Sequence, residues 1–179
     1  MNKSNRIALG AMFLAVMLVL GYIESLIPLG VPGIKLGLAN SVLLLSLYWL
    51  GVPFSFTLML SKVFLSGYLF ANPNAMLYSL AGGVLSMLGM ILVVYLIKGV
   101  SPLGAAITGA VLHNVGQIGV AMWQLRTGKL LYYMAILMLA GIVMGFITGN
   151  VCKQLLRYLP KNRRERFFKT ADDKKSPAI

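Results

Sequence analysis

Acidic side chains are nearly absent from this chain: Glu24, Glu165, Asp172 and Asp173 are the only four in 179 residues. There is one histidine, His113, and one cysteine, Cys152. A lone cysteine excludes an intrachain disulfide, and Cys152 reads as a packed or lipid-facing thiol. One histidine and one nearby carboxylate are too few ligands for a metal site. The sequence also lacks a nucleophile elbow, a phosphate-cradling glycine loop and a metal-binding histidine pair. Asp172 and Asp173 stand in a lysine-rich tail where nothing would hold an ion rigidly. These absences predict a protein that is not an enzyme and that uses no cofactor.

Charge is scarce as a whole. Charged residues make up 11% and hydrophobic residues 59%, against roughly 25% and 45–50% in a soluble domain. The apolar excess is gathered in long runs, the pattern of membrane spans. A spanning segment must satisfy its own backbone polar groups, so it is a helix or part of a closed barrel. The runs are long and do not alternate, which favours helices over barrel strands. The predicted fold class is therefore all-α, an integral membrane bundle of six transmembrane helices. The spans are expected at residues 7–27, 36–50, 53–70, 75–97, 102–125 and 130–156. The second is short and is expected to tilt little or to be sunk within the bundle. The first follows Lys3 and Arg6 but is long for a signal peptide and lacks a cleavage site, so it reads as retained. Two regions follow: a six-helix transmembrane domain over residues 1–157 and a basic cytoplasmic tail over residues 158–179.

The net charge of +12 is a matter of topology more than of nucleic acid. Nine of the sixteen basic residues lie from Lys153 to Lys175, after the last apolar run. With the N terminus inside, Lys3, Arg6, Lys98 and the tail face the cytoplasm, while Lys35, Arg126 and Lys129 face outward. Both termini of this multi-pass chain are then cytoplasmic, in the cell membrane. The tail residues 161–169 are basic and aromatic, fit for a lipid anchor or for a cytoplasmic docking surface. Small residues recur at four-residue spacing: Gly141, Gly145 and Gly149; Ser79 and Gly83; Gly82 and Ser86; Ala105, Gly109 and His113; Ala11 and Ala15. Such rows let helix backbones approach closely in lipid.

An ionisable group in hydrocarbon costs at least roughly 2.5–3.5 kcal/mol, so each one needs an account. Lys62 falls mid-span and is expected to face the interior, as half of an ion pair or as a ligand contact. Glu24 is an interfacial carboxylate, a ligand for a cation or substrate, or a counter-ion to Lys35 or Arg126. His113, Asn114 and Gln117 share about one face of the fifth span. Counting along the spans brings Glu24, Asn40 and Gln117 to similar depths in the outer half. Polar groups converging in an apolar bundle describe a ligand pocket, and a structural hydrogen-bond network is the rival reading.

Three stretches carry a family resemblance: Pro32-Gly-Ile-Lys-Leu-Gly-Leu-Ala-Asn40, Leu77-Tyr-Ser-Leu-Ala-Gly-Gly83 and Gly109-Ala-Val-Leu-His-Asn-Val-Gly-Gln117. Together they resemble the bacterial membrane family labelled heptaprenyl diphosphate synthase component I, also called the Gx transporter family. The resemblance covers residues 5–157. More widely, the chain is similar to the substrate-binding S components of energy-coupling factor transporters. That likeness implies a six-helix subunit that binds a small substrate for uptake, and the lysines, carboxylate and amides of the expected pocket suit a small amphipathic or anionic molecule, vitamin-like or an isoprenoid precursor. It also implies a transmembrane coupling subunit and ATPase subunits as partners. Ala11 and Ala15 match the AxxxA coupling motif, and the loop of residues 28–37 would cap the pocket. The expected substrate-binding set is Glu24, Lys35, Asn40, Lys62, Tyr78, His113, Asn114 and Gln117. Prenyl diphosphate synthases hold magnesium and diphosphate with two aspartate-rich motifs, which this chain lacks. The alternative function is thus a non-catalytic membrane component of isoprenoid-quinone biosynthesis.

Overall fold

The computed structural model describes residues 2–26, 38–70, 73–97, 100–126, 128 and 130–158. All regular structure among them is helical. The elements are α1 (Lys3–Leu26), α2 (Leu38–Leu50), α3 (Val52–Phe70), α4 (Pro73–Leu96), α5 (Pro102–Leu125) and α6 (Leu130–Leu155), with one 3-10 turn at Leu156–Tyr158. Five of the helices are long and apolar enough to cross a membrane. Lys35 and the basic tail beyond Tyr158 lie outside the described residues.

Proline sets several of the helix starts. Pro73 opens α4, two residues ahead of the start expected from the apolar run. Its missing N–H and fixed φ suit the first helical position. Pro102 opens α5, where the Ser101 hydroxyl also accepts from the Gly104 N–H at 3.3 Å. Gly51 alone separates α2 from α3, at φ 89°, in the left-handed region that a side chain disfavours. The Ser46 and Ser55 hydroxyls bond to each other at 2.8 Å across this turn.

The helices run alternately up and down. The basal end holds the starts of α1, α3 and α5 and the ends of α2, α4 and α6; the distal end holds the converse. α2 is the central helix. Its 13 residues span about 20 Å at 1.5 Å per residue, short of a hydrocarbon core of about 30 Å. Ten of them are buried, so this helix is apolar all round because protein surrounds it. The outward faces of the long helices carry the opposite pattern. Ile7, Met12 and Val19 of α1 and Tyr132, Leu139 and Phe146 of α6 are exposed. Apolar surface of that extent is what lipid, not water, covers.

Helices α4, α5 and α6 form the tightest part of the bundle. A Cβ placed on Gly116 of α5 would stand 2.7 Å from the Ala81 carbonyl oxygen of α4, and one on Gly145 of α6 would stand 2.6 Å from the Ile107 Cα of α5. These glycines let the backbones touch, and dispersion contacts and weak backbone polar contacts then hold helices together in lipid.

Candidate functional site

Arg6 and Glu24 of α1 stand 18 residues apart, about five turns, and so share one face. Between them lies α2. The Arg6 Nη2 donates to the Leu50 carbonyl at 2.9 Å, at the end of α2, and its guanidinium lies 5.8 Å from the Phe54 ring centre. The Glu24 carboxylate accepts from the Leu38 N–H and, at 3.4 Å, from the Ala39 N–H at the start of α2. Acid therefore meets the positive end of the α2 dipole and base the negative end. The first N–H groups and the last carbonyls of a helix lack internal partners, and α1 supplies them. This explains how Glu24, only 7% exposed, is tolerated inside the bundle.

Glu24 also lines a polar cavity of about 50 Å³. Asn40 from α2, Lys62 from α3, Ser79 from α4, His113 and Asn114 from α5 and Thr148 from α6 complete its polar walls. Five of the eight substrate-binding residues expected from sequence are thus brought together: Glu24, Asn40, Lys62, His113 and Asn114. A cavity of this size admits a few waters and lies well below the roughly 300–1,000 Å³ of small-molecule pockets. Asn114 donates from Nδ2 to the Leu137 carbonyl of α6 at 2.7 Å. A Cβ on Gly82 of α4 would lie 2.9 Å from the His113 Nδ1, so Gly82 makes the room in which the imidazole sits.

Gln117 and Tyr78 are placed elsewhere. They line a second, more apolar chamber of about 370 Å³, widely open to the surface, with Ser79, Ile118, Tyr133 and Leu137, toward the distal ends of α4, α5 and α6. The Tyr78 hydroxyl donates to the Gln124 Oε1 at 2.5 Å. Ser79 borders both chambers. Depth counting had put Gln117 level with Asn40 and Glu24 in the outer half. Instead the polar cavity faces the stretch of α5 from Ala106 to Asn114, in its basal half. The reason is the shortness of α2. It begins deep in the bundle, where the Ser41 hydroxyl donates to the Thr148 carbonyl at 3.1 Å, and so draws Asn40 and Glu24 away from Gln117.

Ala11 and Ala15 are exposed on α1, on the side opposite Arg6, Phe13, Met17 and Glu24. Ser79, Thr148 and Arg6 were missed as site or scaffold residues. Arg6 read as a topology signal, yet its spacing from Glu24 was present in the sequence. Ser79 stood out only as part of a small-residue row, and Thr148 gave no signal beyond being polar within an apolar run.

A protein-family model described as heptaprenyl diphosphate synthase component I matches residues 13–155 of the chain. No curated protein and no solved structure matches it.

Proposed function

The chain belongs to the heptaprenyl diphosphate synthase component I family, and within that family we propose that it is a membrane-embedded substrate-binding subunit of a small-molecule uptake transporter, driven by a separate ATPase module. The observation that carries this reading is the pair of adjoining chambers. One is polar and set among buried groups, the other is apolar and about 370 Å³, and Ser79 borders both. A largely apolar site with a few placed polar groups is the usual form of a small-molecule pocket. Glu24, Asn40, Lys62, His113 and Asn114 serve the polar end, Tyr78 and Gln117 the apolar end. Lys35 lies outside the described residues, and its assignment to a capping loop rests on the resemblance to S components. The exposed pair Ala11 and Ala15 meets a transmembrane coupling subunit, since small residues let a partner helix approach. The chain sits in the cell membrane with both termini cytoplasmic. It carries no catalytic residue.

A second reading rests on the description of the matched family. In it the chain is a non-catalytic membrane partner in heptaprenyl diphosphate synthesis. One experiment separates the two. The full-length protein is purified gently from its native membrane, then analysed by native mass spectrometry for bound small molecules and by proteomics for bound proteins. A bound small molecule together with a coupling subunit and ATPases supports transport. A soluble prenyl synthase subunit with an empty bundle overturns it in favour of the second reading.

A further inference from the structure

The polar cavity lies on a seam. Most of its lining belongs to α4, α5 and α6, with Ser79, His113, Asn114 and Thr148 as polar members, and it is closed from the other side by Glu24 of α1, Asn40 of α2 and Lys62 of α3. The two halves are built differently. Glycine-to-backbone contacts weld α4 to α5 and α5 to α6, as at Gly116 and Gly145. Across the seam the bundle is held more lightly than within α4, α5 and α6, though no more lightly than α3 is held to α1 and α2, with the Ser41 hydroxyl bonded to the Thr148 carbonyl as one tie. Helix α1 packs chiefly on α2 and α3 and reaches the cavity through Glu24.

We infer that Arg6 and Glu24 join α1 and α2 into one moving body, and that Glu24 is the strut through which the position of α1 sets the width of the polar cavity. Three features carry this. The two charges grip opposite ends of α2 from a single face of α1, so an axial or lateral shift of α1 moves α2 with it. Charge-assisted bonds of this kind are roughly twice as strong as neutral ones, which makes this connection stiffer than the hydroxyl tie at the seam. Asn40 follows directly after the two N–H groups that Glu24 holds, so a displaced α2 carries two cavity walls at once. The face of α1 opposite the grip exposes Ala11 and Ala15. A helix docking there pushes on the same rod that ends in the cavity. That last link rests on the transporter reading above; the joining of α1 to α2 does not.

The test needs neither substrate nor partner. In full-length protein in membranes, with Cys152→Ser as background, a reporter thiol is introduced as Ala110→Cys in the polar cavity or Ala121→Cys in the distal chamber. The rate of modification by a methanethiosulfonate reagent is then measured. The reagent is too large for a cavity of about 50 Å³, so labelling at position 110 reports opening. Glu24→Ala is expected to speed labelling there at least about tenfold, as loss of a hydrogen bond to a charged group implies. The rate at position 121 should stay as it was. Glu24→Gln, whose amide oxygen still accepts, should restore most of the slow rate. Arg6→Met, at the far end of the grip and outside the cavity lining, should speed labelling at 110 in the same sense. It carries the test by itself if Glu24→Ala yields no folded protein. No change at 110 with Arg6→Met, or an equal rise at both reporters, overturns the inference.

Discussion

Asn114 of α5 donates from Nδ2 to the Leu137 carbonyl of α6 at 2.7 Å, while the same side chain forms part of the polar cavity wall. Its amide therefore fastens two helices and faces a site at once. Gln117, one turn further along α5, lines the apolar chamber instead. The two residues should respond differently to truncation. Asn114→Ala removes a side-chain donor while the Leu137 carbonyl keeps its partner within α6, a loss of about 0.5–1.5 kcal/mol, and should lower both melting temperature and ligand affinity. Gln117→Ala should lower affinity for the co-purifying molecule about five- to 150-fold, with melting nearly unchanged. Paired thermal melts and binding isotherms in detergent decide this. A Gln117→Ala variant that binds normally removes Gln117 from the site.

Close backbone contact between α4 and α5 makes two glycines three residues apart respond with opposite sign. A Cβ on Gly116 would meet the Ala81 carbonyl oxygen at 2.7 Å and the Gly82 Cα at 2.8 Å, whereas one on Gly119 would meet nothing within 4 Å. Gly116→Ala should destabilise the bundle by about 1–3 kcal/mol through overpacking. Gly119→Ala should be neutral or stabilise by up to about 1 kcal/mol, as alanine is the better helix former. Unfolding in mixed micelles measures both.

Docking at the exposed small residues of α1 predicts a separation of functions. Replacing Ala11 and Ala15 together by leucine should reduce recovery of coupling and ATPase subunits in a pull-down. Ligand binding by the isolated chain should persist, because both alanines lie away from the two chambers. Undiminished recovery of partners would leave this face to lipid.

The orientation is open to a direct test. Reporter fusions at Asn72, between α3 and α4, and at Ile179 should report opposite sides, with Ile179 cytoplasmic, as the distribution of lysine and arginine implies. Reports from the same side would mean that one of α4, α5 and α6 does not act as a span, whereas Asn72 inside and Ile179 outside would mean that α2, with only 13 residues, does not.

Much of the fold was legible because a membrane span announces itself by length and apolarity, and both are local properties of the chain. The starts and ends of α5 and α6 fall close to where breaks in the apolar runs placed them. The short second run also behaved as its length implied, lying inside the bundle. The site was legible in part. Glu24, Asn40, Lys62, His113 and Asn114 were each conspicuous as costly groups in hydrocarbon, and they meet in one cavity. Gln117 was equally conspicuous but faces another chamber. Counting residues assigns depth only when helices share length and tilt, and α2 shares neither length nor starting level with its neighbours.

Composition and apolar run length alone determined that this chain is a helical membrane bundle poor in reactive groups, since each residue there is sorted by its own cost of transfer into hydrocarbon. What Glu24 and Arg6 do was decided only in three dimensions. The start of α2 offers unpaired N–H groups and its end an unpaired carbonyl, and α1 brings an acid to one and a base to the other. Such a match depends on how far α2 extends beside α1, a relation between two helices that neither stretch of sequence contains by itself.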